Sequence, residues 1–285
     1  MRAWYTDNIN PKTGKRQITF KRSNGLVDME LSIPCGKCMG CRVRKTTSWA
    51  LRCVHESELH DQNCFITLTY NDEHVPQGGT LVKKHFQDFM KRLRESVKPK
   101  KIRYYMCGEY GSELGRPHYH ALIFGYDFED KQKFQYRNGS ILYTSEMLAK
   151  LWPFGFVTIG ELNYTTAAYT AQYVTKKIYG DAANEHYQGR LPEYSSMSLG
   201  IGRDYVEKYK DELLQHDNVV ANGREYPIPD YYTGRLSDEE QTELKLRRKQ
   251  KLLQDAENNT LERLRVREKV KESIQRIKGD GRNLN

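Results

Sequence analysis

No run of apolar residues in this 285-residue chain is long enough to span a bilayer, and the opening MRAWYTDNINPKTGKR lacks the apolar core of a signal peptide. These absences exclude a membrane-spanning protein and lead us to expect a soluble chain in a reducing cytoplasm. Cysteine is sparse, six in all, and a chain of this length can bury a core without disulfide staples. There is no Gly-rich phosphate loop of the helicase type, so a nucleotide-driven motor is not expected. No heptad persists long enough for a coiled coil.

What is present is charge, unevenly placed, and tyrosine. The chain carries +9 overall, and nine lysines and arginines between Lys83 and Arg103 face only Asp88 and Glu95. Arg42, Arg44, Lys45 and Arg52 form a second basic stretch with no acid before Glu56. Such clusters suit a polyanion, most simply nucleic acid, or else a solvated helix face. Twenty tyrosines favour the former, because aromatic rings beside cations stack on unpaired bases.

The pattern predicts a polar extension with a cysteine cluster and a helix over residues 1–63, a regular core over 64–180, a loop-rich extension over 181–236 and a charged helical tail over 237–285. In the core, Phe65 to Tyr70, Ile102 to Glu109, His118 to Phe124 and Gly155 to Leu162 read as strands. Leu81 to Ser96, Glu146 to Leu151 and Tyr164 to Tyr179 read as helices. Arg203 to Gln215 predicts a further helix, and Val266, Val270, Ile274 and Ile277 a seam on the tail. The order strand, helix, strand, strand, helix, strand predicts an α+β fold, a ferredoxin-like antiparallel sheet of split βαβ type with helices on one face. The turn residues Gly111, Gly115 and Pro117 make the second and third strands a hairpin.

GRPHYHALIFG places His118 and His120 on one face of a strand and Tyr119 on the other. Such a pair is either a ligand set or two half-exposed polar residues. The hairpin brings Glu109 about opposite His118, where it completes a triad for Mn²⁺, Mg²⁺ or Zn²⁺ unless a register shift hands it to Arg103 or Arg116. On the helix AAYTAQYVTKKIYG, Ala167, Ala171, Val174 and Ile178 share one side while Tyr169, Tyr173 and Lys176 share the other. A phenol there becomes a nucleophile if a cation favours its phenolate. In PCGKCMGCR, Cys35, Cys38 and Cys41 suit Zn²⁺, with Cys53, His55 or Cys64 as a fourth ligand, or are free thiols around a Gly turn. The fourth cysteine and proline of an iron-sulfur run are missing.

Together PCGKCMGCR, FITLTYNDEHVP, CGEYG, GRPHYHALIFG and YVTKK, in that order, make the chain resemble the His-hydrophobe-His endonucleases. Within them it is most similar to the replication initiation proteins of gokushovirus-type microviruses. The resemblance covers most of residues 30 to 205. It implies metal-dependent nicking and joining of single-stranded DNA at a viral origin through a 5′-phosphotyrosine, starting rolling-circle replication in the bacterial host. His118, His120 and Glu109 would be the ligands, and Tyr173 the leading nucleophile with Tyr169 as its alternate. Lys176 or Lys177 would fill the lysine position, which is doubled here. A host helicase and polymerase are the expected partners. The competing expectation is a non-catalytic single-stranded nucleic-acid-binding module with a zinc-stabilised appendage.

Overall fold

A computed structural model describes residues 1–280 except Thr13, Ser112, Glu113, Asn138 and Tyr179; the side chains of Ser32, Val174, Thr175, Lys176 and residues 275–280 are also outside the described set. The chain forms β1 (Arg2–Ile9), β2 (Arg16–Thr19), β3 (Glu30–Ser32), α1 (Met39–Ser57), β4 (Asn63–Tyr70), α2 (Lys83–Ser96), β5 (Arg103–Tyr110) and β6 (Pro117–Phe124). It continues through β7 (Gln132–Arg137), β8 (Ser140–Thr144), α3 (Glu146–Leu151), β9 (Gly155–Gly160), α4 (Tyr164–Lys176), α5 (Asp181–Tyr187), β10 (Tyr194–Met197), α6 (Arg203–Lys208) and α7 (Lys210–His216). Last come β11 (Asn218–Ala221), β12 (Arg224–Pro227), α8 (Asp230–Thr233), α9 (Asp238–Gln254) and α10 (Leu261–Asp280). The fold is α+β.

Two compact units divide at Arg44 and Lys45. The first holds an antiparallel sheet ordered β2-β1-β3, with Trp4 opposite both Thr19 and Glu30. These strands are short and largely exposed, and only the second was expected from sequence.

The second unit is built on a seven-stranded antiparallel sheet ordered β10-β5-β6-β4-β9-β8-β7. Within it β6 lies between β4 and β5, and β4 between β6 and β9, so the crossovers carrying α2 and α3 interleave. Both faces are covered, which corrects the expectation of helices on one. Phe86, Phe89, Met90 and Leu93 of α2 and Leu148 of α3 pack with Ile66, Leu68, Tyr119 and Ile123 on one side. On the other, Ala50 and Cys53 of α1 and Ala167 and Ala171 of α4 pack with Tyr105, Leu122 and Phe124. Ala121, Leu122, Ile123 and Phe124 are therefore all buried, as an uninterrupted apolar run in a two-sided strand demands.

Tyr119, the polar departure between the two histidines, is fully buried on the α2 face. Its hydroxyl accepts from the Val82 amide at 2.9 Å, donates to the Val82 carbonyl at 3.0 Å and lies 2.9 Å from the Tyr70 hydroxyl. The phenol thus pins the N-cap of α2. Tyr119→Phe is expected to cost about 1–3 kcal/mol, because the partners stay buried without it; urea unfolding measures the loss.

A third core joins Leu51 of α1 with Val206, Leu213, Val219, Ile228 and Tyr232. The helix expected from Arg203 breaks at Tyr209 into α6 and α7. His55, 1% exposed, lies 2.9 Å from the Tyr232 hydroxyl through Nδ1 and stacks on Tyr205. Burial pushes its pKa from 6.5 down to about 4. As the pH falls through 6.5, the unfolded chain takes up this proton while the folded chain refuses it. Stability from neutral His55 is thus full above 6.5 and is lost toward pH 4, by about 3 kcal/mol. His55→Gln should flatten that acid slope when unfolding is compared at about pH 7.5 and about pH 4.5.

The tail is two helices joined by a 3₁₀ turn at Ala256–Asn259, where two asparagines had marked a weak point. Val266, Val270 and Ile274 are about half exposed on α10; the Ile277 side chain lies outside the described residues. Among the described residues no helix is long and apolar enough to cross a membrane.

Candidate active site

The site begins with strand alternation. β5 pairs with β6 so that Glu109 lies opposite His118 and Cys107 opposite His120, the register that the hairpin turn predicts. On the other flank β4 places Thr69 opposite His118 and Thr67 opposite His120. All these side chains project to the α4 face. Thr67 Oγ1 lies 3.0 Å from His120 Nδ1, and Thr69 Oγ1 lies 3.1 Å from His118 Nδ1. Each hydroxyl holds one ring nitrogen, which leaves Nε2 of each imidazole to face the site. Sequence reasoning missed these threonines. Their signal was the period-two spacing in FITLTY, which repeats the spacing of the histidines.

Glu109 is 4% exposed and His120 7%, and Nε2 of the histidine is 2.5 Å from Oε1 of the carboxylate. The cross-strand alternatives for Glu109 are taken elsewhere: Arg103 pairs with Glu56 at 2.7 Å, and Arg116 with Asp72 and the Tyr70 carbonyl. Burial pushes the His118 pKa down to about 4, helped by neighbouring His120 and opposed by Glu109. Neutral imidazole is the form that binds a metal.

α4 closes over this face. Asn163 caps it, accepting from the Thr166 amide at 3.1 Å while Thr166 Oγ1 accepts from the Asn163 amide at 2.9 Å. Ala167 and Ala171 are buried against the sheet. Tyr169 and Tyr173, one turn apart, are half-buried rather than on a solvated stripe. The Tyr169 ring sits edge-on to His120 at 5.0 Å, and the Tyr173 ring stacks on the same imidazole at 6.0 Å. The Tyr169 hydroxyl donates to Glu109 Oε1 at 3.3 Å, and that of Tyr173 bonds both Tyr169 and Glu109. Burial first, and the Glu109 charge second, raise both phenol pKa values. Lys177 lies at the C-cap of α4; the Lys176 side chain is outside the described residues.

Two imidazole nitrogens and a carboxylate suit a divalent cation in donor type. The space at His118 Nε2 exists because residue 111 has no side chain: a Cβ on Gly111 would stand 2.6 Å from that nitrogen. Seating an ion requires the Glu109–His120 hydrogen bond to give way. Gly111→Ala should therefore cut any metal-dependent activity roughly a hundredfold while leaving the melting temperature nearly unchanged, as activity and thermal scans will test.

The remaining predicted residues lie elsewhere. Cys35, Cys38 and Cys41 form the one His/Cys/Asp/Glu trio among the described residues whose donor atoms all lie within 4.8 Å. Backbone amides of Cys38 and Lys37 lower the Cys35 thiol pKa to about 6. The fourth ligand expected of Cys53, His55 or Cys64 is not built. Cys53 and Cys64 are buried in apolar cores that push their thiols up, and His55 is committed to Tyr232. The basic run from Lys83 rides on α2, across the sheet from the imidazoles.

Residues 63–178 match the family described as replication-associated protein ORF2. Replication-associated protein VP4 of Bdellovibrio phage phiMH2K is 35% identical over 210 residues, 70% of this chain and 66% of that protein. Replication-associated protein ORF2 of Spiroplasma virus 4 is 34% identical over 261 residues, 83% of this chain and 80% of that protein. Replication-associated protein ORF4 of Chlamydia phage 1 is 31% identical over 209 residues, 70% of this chain and 52% of that protein. No solved structure matches. The matched segment runs from β4 to α4 and holds Thr67, Thr69, Glu109, His118, His120, Tyr169 and Tyr173, and the chain belongs to the replication-associated protein ORF2 family.

Proposed function

We propose that this chain nicks and rejoins single-stranded DNA at a replication origin through a tyrosine nucleophile, and so initiates rolling-circle replication of a small single-stranded DNA virus inside its bacterial host. One observation carries the reading: two phenols from α4 reach the carboxylate that is bonded to a sheet histidine. The relatives' names, replication-associated proteins of phages and a Spiroplasma virus, supply the setting.

In the proposed step the Tyr173 oxygen attacks phosphorus. A P–O bond forms to the phenol as the P–O3′ bond breaks, giving a 5′-phosphotyrosine and a free 3′-hydroxyl. The phenolic proton leaves toward Glu109, and the departing 3′ oxygen takes up a proton, so charge balances. Reversal by a 3′-hydroxyl rejoins the strand without consuming a nucleotide. Tyr169, also bonded to Glu109, serves as the second acceptor. Burial alone opposes phenolate formation, so the phenols need a compensating positive charge. A divalent cation, Mn²⁺ or Mg²⁺, held by His118, His120 and Glu109 would supply it, together with charge stabilisation on the non-bridging oxygens. Thr67 and Thr69 keep the two rings turned for that task. Duplex opening falls to a host helicase or to supercoiling, and extension to a host polymerase.

Incubation of the full chain with labelled origin single strands and Mn²⁺ should yield a protein–DNA adduct that survives a denaturing gel, and chelation should abolish it. A folded protein that gives no adduct with Mn²⁺, Mg²⁺ or Zn²⁺ overturns the proposal.

A further inference from the structure

The nicking reading leaves the cysteine trio unused. It stands in the first compact unit and is shaped by three local features. Cys38 is the residue whose carbonyl accepts the first helical bond of α1, from the Arg42 amide at 3.0 Å. Cys41 follows three residues later, so the two side chains share one face of the opening turn. Gly36 then bends the chain back with φ +73°, a conformation that costs other residues strain. This turn brings Cys35 onto the same face, where its sulfur accepts the Cys38 amide at 3.2 Å. Cys35 Sγ and Cys41 Sγ end 4.0 Å apart. Thiolates on one tetrahedral zinc ion, at Zn–S bonds of about 2.3 Å, stand about 3.8 Å from one another. The trio is therefore close to its metal-bound spacing before any ion arrives, and exposed Lys37 and Arg42 beside it favour the anionic form.

We propose that Cys35, Cys38 and Cys41 form a second metal site, a three-thiolate Zn²⁺ centre with its fourth position open to solvent, which fastens the turn before α1. Soft thiolates select Zn²⁺ over the harder ions suited to the histidine pair, so the two sites take different metals. Binding releases the thiol protons, making uptake weaker at low pH.

The test uses the full chain purified under reducing conditions and titrated with Co²⁺ as a spectroscopic stand-in for zinc. A thiolate-to-cobalt charge-transfer band in the near ultraviolet, displaced by Zn²⁺, is expected; the histidine site has no sulfur and cannot give it. Cys38→Ser and Cys41→Ser should each remove the band and weaken Zn²⁺ binding at least about a hundredfold, whereas His118→Ala should leave the band intact. Absence of the band in the reduced, folded wild-type protein, or its persistence in both cysteine variants, overturns the site. A Cys35–Cys41 disulfide forming on oxidation with no metal uptake by the reduced chain does the same. Failure of the nicking assay would leave this result unaffected.

Discussion

Replacing Tyr169 and Tyr173 together by phenylalanine is expected to abolish the covalent DNA adduct, lowering the cleavage rate by at least about a thousandfold. Both rings lie against His120 and both hydroxyls bond toward Glu109, so the double variant removes every phenol bonded to that carboxylate among the described residues. The change deletes two oxygens and leaves the ring packing in place, so the melting temperature should hold. Tyr173→Phe alone should lose nearly all first-round cleavage. Tyr169→Phe should cut once but fail in successive rounds on a linked substrate. If Tyr169→Phe leaves both single and repeated cleavage intact, that phenol is a packing residue only.

His120→Ala is the second large effect. Its ring touches Thr67, Phe65, Glu109 and both tyrosines, so its loss should slow cleavage by roughly 10²–10³-fold. Single-strand binding should change little, because a protein that only binds nucleic acid has no use for a buried imidazole on a carboxylate. Equal loss of binding and cleavage, in a variant that still folds, would favour a binding module over an enzyme. Removing His120 also leaves Glu109 buried without that partner, at a cost of about 3 kcal/mol, so His118→Ala is the companion variant. Its imidazole is bonded to Thr69 rather than to Glu109 and should reproduce the kinetic loss with a smaller drop in stability.

Much of this site was legible in the sequence because local rules settle it. The turn from Gly111 to Pro117 determines which residues of β5 and β6 meet, and helical spacing places two tyrosines on one stripe. The character of that stripe was not legible: it reads as solvated on a wheel, yet it is the lid of a half-buried cluster. That depends on the second covered face of the sheet, hinted at only by the unbroken run from Ala121 to Phe124. The strands that escaped reading share another cause. β7 is exposed along its whole length, so no alternation of polar and apolar residues marks it. β10 is Tyr-Ser-Ser-Met, held at the sheet edge by pairing with β5 nearly ninety residues earlier. Neither burial period nor turn chemistry reports such a distant partner.

β6 carries the imidazoles on one side and the phenol that anchors α2 on the other. A slip of one position in that strand would point Tyr119 at the DNA side and drive both histidines beneath α2. Chemistry and architecture are thus inherited as one unit here. Drift along this lineage is free to lengthen distant loops, but an odd-numbered shift of the central ribbon would disable the protein and dismantle it in the same stroke.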